Sequence, residues 1–204
     1  MQLLGRYLSP FVRRVATTLN LYGIEFENNP LQHTGDDAPK LRAMNPVGRV
    51  PALVLDDGEV IVDSAVILDF LDREAGEQRA LTPTGGRERT RVLSLTNVAT
   101  GAAEKAIATV YEFRFRPKEK RHPEWVERCT EQSIGGFNYL NEQLTDDWLT
   151  GGKMTQADVT TAVAWQFAGM AAPKLAERVD APNLDGLVER MMQLEAFSST
   201  HPNP

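Results

Sequence analysis

Short apolar runs and amphipathic helical periods alternate over about the first 76 residues of this 204-residue chain. Ser9-Pro10 has the form of a helix N-cap followed by proline at the first helical position, and Gly23 ends the helix that follows. The polar segment from Gln32 to Ala43 is predicted to be half loop and half short helix, and a further helix is predicted from Ser64 to Ala75. The short runs predict four strands, at residues 2–8, 24–31, 52–55 and 59–62. The order is therefore β-α-β followed by β-β-α.

From about residue 87 onward the pattern is helical throughout. The preceding stretch contains Pro83, Gly85 and Gly86 and has no apolar period, which is typical of a linker. Helical periods predict helices at about 87–115, 123–144, 155–172 and 183–193, with a short one near Glu195. We therefore expect an α+β domain over residues 1–77, a linker over 78–86 and an all-α domain over 87–204.

The composition bounds the classes of function. It is 42% hydrophobic and 25% charged, which is typical of a soluble globular protein. The net charge of −6 argues against nucleic-acid and anionic-membrane partners. No apolar run approaches ~18 residues and the start lacks a signal-peptide pattern, so we expect a cytoplasmic protein. Cys129 is the one cysteine, and the three histidines are scattered, so neither a disulfide nor a metal site is predicted.

The segment that ends in Val50-Pro51 carries the first functional hypothesis. Proline has no N–H, so Pro51 directly before an apolar run fits the first residue of a strand, and fits better if the Val50–Pro51 bond is cis. Such a turn leaves the N–H and C=O of Val50 outside the sheet. These groups are suited to hold an extended, peptide-like molecule by its backbone.

Four motifs follow one another along the chain: Ser9-Pro10-Phe11-Val12-Arg13-Arg14-Val15, Asn45-Pro46-Val47-Gly48-Arg49-Val50-Pro51, Asp63-Ser64 and Thr155-Gln156-Ala157-Asp158. In this order they resemble those of the cytosolic glutathione S-transferases, in particular the bacterial serine-type branch. The resemblance covers nearly the whole chain. It implies a thioredoxin-like N-terminal domain followed by an all-α domain, reduced glutathione as co-substrate, and a homodimer.

Ser9 is the expected catalytic residue. A free thiol has a pKa of about 8.5, so glutathione is mostly protonated at neutral pH. A hydroxyl that donates a hydrogen bond to the sulfur favours the thiolate, and so does the positive end of a helix; Ser9 offers the first and lies at the second. Two alternatives stay open: Ser9 is only a helix cap, or Tyr7, near the end of the first strand, activates the thiol.

The resemblance also assigns the glutathione-binding residues. The N–H and C=O of Val50, beside Pro51, pair with the cysteinyl backbone. Asp63 and Ser64 stand at the start of a helix, where the Ser64 hydroxyl and exposed N–H groups suit the γ-glutamyl carboxylate. Asp63 then meets the ligand's ammonium group. The structural alternatives are an architectural proline and a plain capping pair.

Three basic residues are further candidates for the same site. Arg49 precedes the Val50 clamp and either pairs with the glycyl carboxylate or is a solvated surface residue. His33 lies in a polar loop that faces the same end. Arg13, one turn into the first helix, either adds a positive field near the sulfur or lies at the domain interface.

Aromatic residues predict where the second substrate binds. We expect an electrophile pocket between the domains, lined by Phe11 and by Tyr111 and Phe115 of the long helix. Thr155 and Asp158, by contrast, have the spacing of a capping box. Their expected role is structural, and Asp158→Ala is predicted to cost about 0.5–2 kcal/mol of stability and to spare the chemistry.

The leading hypothesis is a glutathione transferase. It holds glutathione as a thiolate at Ser9 and positions it beside a small apolar electrophile. Glutathione peroxidase, dehalogenase and isomerase activities would use the same activation. Because one fold hosts many functions, a non-catalytic binding or regulatory protein and a carrier of glutathione conjugates stay open as alternatives.

Overall fold

The computed structural model describes residues 1–202, which form two compact units. The first unit comprises Met1–Thr84 and the segment from Met192 onward, and the second is Gly85–Met191. The sequence predicts that the first domain ends at residue 77 and that the helical domain covers everything after residue 86. The units differ from that division chiefly in the last segment, which packs with the first unit.

The described residues of the first unit form one mixed four-stranded sheet with the strand order β2-β1-β3-β4. β1 pairs in parallel with β2 and antiparallel with β3, which pairs antiparallel with β4. This confirms the predicted α+β class. The first two strands are shorter than the predicted runs because pairing stops at Leu4 and Asn29. The strands are β1 (Gln2–Leu4), β2 (Glu27–Asn29), β3 (Ala52–Val54) and β4 (Val60–Val62).

The predicted helices are present, and a short one was missed. Pro173 is the first residue of that short helix, a position that proline favours. Short 3₁₀ turns span Gly35–Asp37 and Lys118–Lys120. The helices over residues 1–202 are α1 (Pro10–Tyr22), α2 (Ala38–Met44), α3 (Ser64–Ala75), α4 (Gly86–Phe115), α5 (Pro123–Gln143), α6 (Gln156–Ala171), α7 (Pro173–Ala176), α8 (Pro182–Met192) and α9 (Glu195–Ser198).

Local signals determine where α1 ends. Gly23, with φ 66°, donates its N–H to the carbonyls of Asn20 and Leu19. The apolar face of α1 then packs against α3, and its Val15 and Leu19 are fully buried. Each such side chain contributes about 1.5–3 kcal/mol by leaving water. This packing fixes α1, and with it the position of its N-terminus.

The last helix, α9, packs on α1 through Arg13. The Arg13 guanidinium is buried, lies 4.3 Å from the centroid of the Phe197 ring, and donates from Nε to Thr200 Oγ1 at 3.4 Å. Thr17 Oγ1 also contacts Thr200 Oγ1 at 3.1 Å. Burial lowers the pKa of Arg13 to about 10, so the side chain stays charged at neutral pH. Arg13 therefore holds the C-terminal segment against α1.

The second unit is built around α6, which packs against α4. α4 also packs against α5, and a Cβ on Gly136 would lie 2.9 Å from Ala102 Cβ, so glycine allows the two helices to approach closely. Phe137 and Trp165 pack edge to face with centroids 5.1 Å apart. Cys129 is fully buried, as a small apolar side chain would be.

The predicted capping box at the start of α6 is present, and its carboxylate does more than cap the helix. Asp158 is fully buried and accepts from the N–H of Thr155 at 2.7 Å and from its hydroxyl at 2.8 Å. Its second oxygen accepts from the N–H of Leu149 at 2.7 Å. Asp158 therefore also fixes the loop before α6. Among residues 1–202, no helix is both long and apolar enough to cross a membrane.

Candidate functional site

The predicted site residues lie at one end of the sheet, beside the ends of β1, β3 and β4. Leu4 of β1 pairs with Ala52 of β3, which pairs with Val62 of β4. Pro51 stands directly before this row and Asp63 directly after it. Because neighbouring strands lie about 4.8 Å apart, the row from β1 to β4 spans about 10 Å. An extended chain of three residues has the same length, at about 3.3–3.6 Å per residue.

Val50 lies two residues before the first paired residue of β3. The Val50–Pro51 peptide bond is cis, as the sequence favours, and Pro51 is buried while Val50 is half-buried. Within residues 1–202, no backbone hydrogen bond engages the N–H or C=O of Val50. These two groups are therefore available to pair with the backbone of an extended ligand at the strand ends.

Gly5 joins the Val50 clamp to the start of α1. Its φ is +127°, a conformation that side chains other than glycine rarely adopt. A Cβ at this position would lie 2.5 Å from Cγ2 of Val12 and 2.9 Å from Cβ of Val50. Only glycine lets the first turn of α1 and the clamp approach β1 this closely. Gly5 lies inside the predicted strand 2–8, where a glycine is a signal for close backbone approach, but it was not predicted as part of the site.

Ser9 is the N-cap of α1 and is half-buried. Its Oγ accepts from the N–H of Val12 at 3.5 Å, which is long for a hydrogen bond. A hydroxyl accepts through lone pairs and donates through its own proton. The cap bond therefore leaves the Ser9 proton available to an acceptor, at the helix end where negative charge is favoured.

Tyr7 offers the alternative hydroxyl for thiol activation, and its position is compatible with that role. It lies beyond the end of β1 and is half-buried. Burial raises the pKa of Tyr7, so the phenol keeps its proton at neutral pH and remains a hydrogen-bond donor. Substitutions of Ser9 and Tyr7 therefore distinguish which hydroxyl activates the thiol.

Asp63 has an unusual backbone conformation at the start of α3. Its φ of 70° and ψ of 131° make it the one non-glycine residue with positive φ among residues 1–202. Its Oδ1 accepts from the N–H of Ala65 at 2.8 Å, and the side chain is exposed. Such a conformation costs about 1–3 kcal/mol and tends to be kept where a ligand site needs it.

Ser64 has a partner that the sequence analysis did not identify. Nη2 of Arg14 donates to the Ser64 hydroxyl oxygen at 2.6 Å, and both side chains are 3% exposed. The hydroxyl accepts from a cation, which strengthens its own proton as a donor. Arg14 therefore places its positive charge next to the Ser64 hydroxyl, at the N-terminus of α3, where an anion is favoured.

The remaining polar candidates are exposed. Arg49 is held through its backbone, because its carbonyl accepts from Nδ2 of Asn45 at 2.7 Å. His33 lies in the loop after β2, which is the strand farthest from β4 in the sheet. The structure thus keeps Arg49 beside the Val50 clamp and sets His33 apart from Asp63 and Ser64. Their ligand contacts stay predictions.

The aromatic candidates belong to different units. Phe11 is half-buried on α1, with its ring 5.9 Å from the Arg14 guanidinium. Tyr111 and Phe115 lie near the end of α4, 42% and 50% exposed, with ring centroids 5.1 Å apart. The electrophile pocket stays a prediction. Nowhere in the described part of the chain do three or more His, Cys, Asp or Glu side chains group so as to hold a metal ion.

The glutathione S-transferase N-terminal domain matches residues 8–74, and the glutathione S-transferase C-terminal domain matches residues 103–195. The uncharacterized GST-like protein YibF of Escherichia coli strain K12 is 30% identical over 203 residues, which cover 99% of this chain and 98% of YibF.

Solved structures show the same fold. A glutathione transferase family member from Pseudomonas fluorescens Pf-5, crystallised with bound glutathione, has a TM-score of 0.89 and 28% identity, over 100% of this chain and 99% of its own. A glutathione S-transferase from Methylobacillus flagellatus KT, also with glutathione bound, has a TM-score of 0.91 and 24% identity, over 99% of both chains.

Proposed function

We propose that this chain, which belongs to the glutathione S-transferase family, binds reduced glutathione along the strand ends and transfers it to a small apolar electrophile. One observation carries the proposal: the row of strand ends from β1 to β4 is about as long as an extended tripeptide and offers a different group at each point along it. A backbone clamp stands at Val50, a capping hydroxyl at Ser9, and an anion site at Ser64.

Each part of glutathione has a matching group. The cysteinyl backbone pairs with the N–H and C=O of Val50, which bond to no other backbone group within residues 1–202. The γ-glutamyl carboxylate binds the Ser64 hydroxyl and the N-terminus of α3, with Arg14 behind them. Asp63, with its exposed carboxylate, meets the ammonium group. Arg49, beside the clamp, pairs with the glycyl carboxylate, and His33 is a weaker candidate at that end.

Ser9 supplies the activation. Lowering the thiol pKa by about two units requires about 2.7 kcal/mol of preferential stabilisation of the thiolate. A hydrogen bond to a charged acceptor contributes about 1.5–3 kcal/mol, and the helix terminus adds to it. The thiolate then attacks an electrophile held nearby, so the protein supplies proximity and desolvation and no nucleophile of its own.

The second substrate is proposed to contact Phe11, Tyr111 and Phe115, which offer aromatic surface with little polar demand. We also propose a homodimer in the cytoplasm, on the family resemblance. The bound glutathione of the Pseudomonas fluorescens relative supports the ligand.

A transfer assay tests the proposal. The rate of thioether formation between reduced glutathione and 1-chloro-2,4-dinitrobenzene is measured for the wild type and for Ser9→Ala. We expect turnover by the wild type and a loss of about tenfold to a hundredfold in kcat/KM for Ser9→Ala, equivalent to about 1.4–2.7 kcal/mol. Glutathione binding without turnover of any electrophile tested would favour a carrier. No glutathione binding would refute the proposal.

A further inference from the structure

The turn that joins α4 to α5 forms a basic and aromatic surface, the basic tip, which comprises residues 113–125. Every residue from 113 to 120 is exposed, and so are residues 122–125. With His122 neutral, the tip has five basic and two acidic side chains and a net charge of +3, in a chain whose net charge is −6. The basic residues are Arg114, Arg116, Lys118, Lys120 and Arg121.

Internal contacts hold the tip in one conformation. Nη2 of Arg121 donates to the carbonyl of Phe113 at 2.8 Å, and its Nε donates to the carbonyl of Arg116 at 3.2 Å. Oε1 of Glu112 accepts from the N–H of His122 at 2.9 Å, and its Oε2 pairs with Nε of Arg116 at 2.8 Å. Glu112 is 5% exposed, so this carboxylate lies beneath the turn. It neutralises Arg116 and leaves the other cations of the tip unaffected.

Lys118 and Lys120 direct their charge to solvent. Both are exposed and stand in the 3₁₀ turn Lys118–Lys120. Neither forms an ion pair with a carboxylate within residues 1–202. These two ammonium groups are therefore available to an anionic partner.

Two large aromatic rings lie beside these cations. Phe113 is 55% exposed, with its ring centroid 5.2 Å from the Arg121 guanidinium, and Trp125 is 44% exposed, with its centroid 5.8 Å from Nζ of Lys105. A partner helix or strand needs a groove or a free sheet edge. Exposed rings and cations on a protruding turn instead suit the flat interface of a bilayer, where rings enter the headgroup boundary and cations meet anionic lipids.

We propose that the basic tip docks this protein on the anionic surface of a lipid bilayer. The rings of Phe113 and Trp125 enter the headgroup region, and Lys118 and Lys120 lie among the anionic headgroups. The net charge of −6 opposes membrane binding by the surface as a whole, so the tip is the part that faces the lipid. An apolar electrophile concentrates in the bilayer, so docking would bring the proposed enzyme to its second substrate. Only this benefit rests on the proposed function.

Co-sedimentation of the full chain with vesicles tests the docking, in the absence of glutathione and electrophile. The vesicles contain equal parts of phosphatidylcholine and phosphatidylserine, or phosphatidylcholine alone. We expect binding to the anionic vesicles that weakens as NaCl is raised, and weaker binding to the neutral ones. Lys118→Gln should lower the partition coefficient for anionic vesicles by about fivefold, and Lys118→Gln/Lys120→Gln by about thirtyfold, because each lysine near the surface contributes separately.

Tryptophan fluorescence reports which part of the chain meets the lipid. Brominated phosphatidylcholine quenches indoles that lie at the bilayer; Trp125 is exposed, whereas Trp148 is half-buried and Trp165 is 9% exposed. Vesicles that contain the brominated lipid should therefore quench the wild type. Trp125→Phe keeps an aromatic ring, so it should still bind the vesicles but lose the quenching.

Lys153→Gln is the matched control. Lys153 is exposed and follows the far end of α5, a helix of 21 residues and thus about 30 Å long. Its partition coefficient should equal that of the wild type, and thermal melts confirm that each variant is folded. Three results would overturn the proposal: no binding to anionic vesicles at low salt, an equal loss in Lys153→Gln and Lys118→Gln, or quenching that persists in Trp125→Phe. Tighter binding to poly-glutamate than to anionic vesicles would also overturn it, in favour of an acidic protein partner.

Discussion

Removing the Arg14 charge should weaken glutathione binding, because the γ-glutamyl carboxylate of the ligand loses its attraction to this charge. Arg14 Nη2 lies 2.6 Å from the Ser64 oxygen, and a carboxylate hydrogen-bonded to that hydroxyl would lie about 2.7 Å farther on. The cation and the anion would then be about 5 Å apart at most, an attraction of about 3 kcal/mol at an effective dielectric constant of 20. Arg14→Met keeps much of the apolar stem and removes the charge.

The expected loss follows from that attraction. We predict that Arg14→Met raises the Kd for glutathione by about 30- to 150-fold, equivalent to about 2–3 kcal/mol. Arg14→Lys keeps the charge and loses the forked geometry, so it should recover part of the affinity. The thiol pKa of bound glutathione should change little in either variant, because Ser9 and not Arg14 is the proposed donor to the sulfur. Isothermal titration measures the affinities.

A modified ligand supplies the control. In a glutathione analogue whose γ-glutamyl α-carboxylate is converted to the amide, the group that Arg14 attracts is neutral. The wild type should bind this analogue more weakly than glutathione, and Arg14→Met should weaken it little further. An equal loss for glutathione and for the amide would show that Arg14 acts through the fold alone. An unchanged affinity for glutathione would refute the electrostatic reasoning.

Two stability predictions follow from the other contacts. Asp158→Ala should lower the free energy of unfolding by about 3–5 kcal/mol, because the buried N–H groups of Leu149 and Thr155 lose their acceptor. This loss is larger than the about 0.5–2 kcal/mol of a helix cap alone. Chemical denaturation measures the free energy of unfolding, and a loss below about 2 kcal/mol would contradict the prediction. Gly5→Ala should be destabilising and should also weaken glutathione binding, because its Cβ meets Val50. Gly58→Ala is the control, since it has φ +90° but no atom within 4 Å of the added Cβ; equal effects of the two changes would contradict the argument.

Sequence predicted the features that depend on neighbouring residues. The helix α1 is bounded by a capping serine and a glycine, and the α3 bounds, 64–75, agree with the prediction because Asp63 and Gly76 mark them. Strand lengths were overestimated, because an apolar run does not show where pairing stops. The turn at Gly5 ends β1 after Leu4, although apolar residues continue beyond it.

The local sequence pattern does not predict contacts between residues that are far apart in the chain. Arg13 and Arg14 are consecutive on α1, so their side chains leave the helix about 100° apart. One packs against Phe197 and the other donates to Ser64, and nothing in the sequence around them assigns these roles. The sequence leaves Arg13 open between a role near the sulfur and a place at the domain interface, and it does not single out Arg14, whose guanidinium donates to Ser64 in the structure. The grouping of the C-terminal segment with the first unit was missed for the same reason.

The ionisation of bound glutathione tests the central claim most directly. The thiolate absorption of a saturated complex is followed against pH for the wild type, Ser9→Ala and Tyr7→Phe. We predict a thiol pKa about two units below its ordinary value of about 8.5 in the wild type and in Tyr7→Phe. In Ser9→Ala it should return toward the ordinary value while glutathione still binds. A low thiol pKa that persists in Ser9→Ala and is lost in Tyr7→Phe would contradict the account.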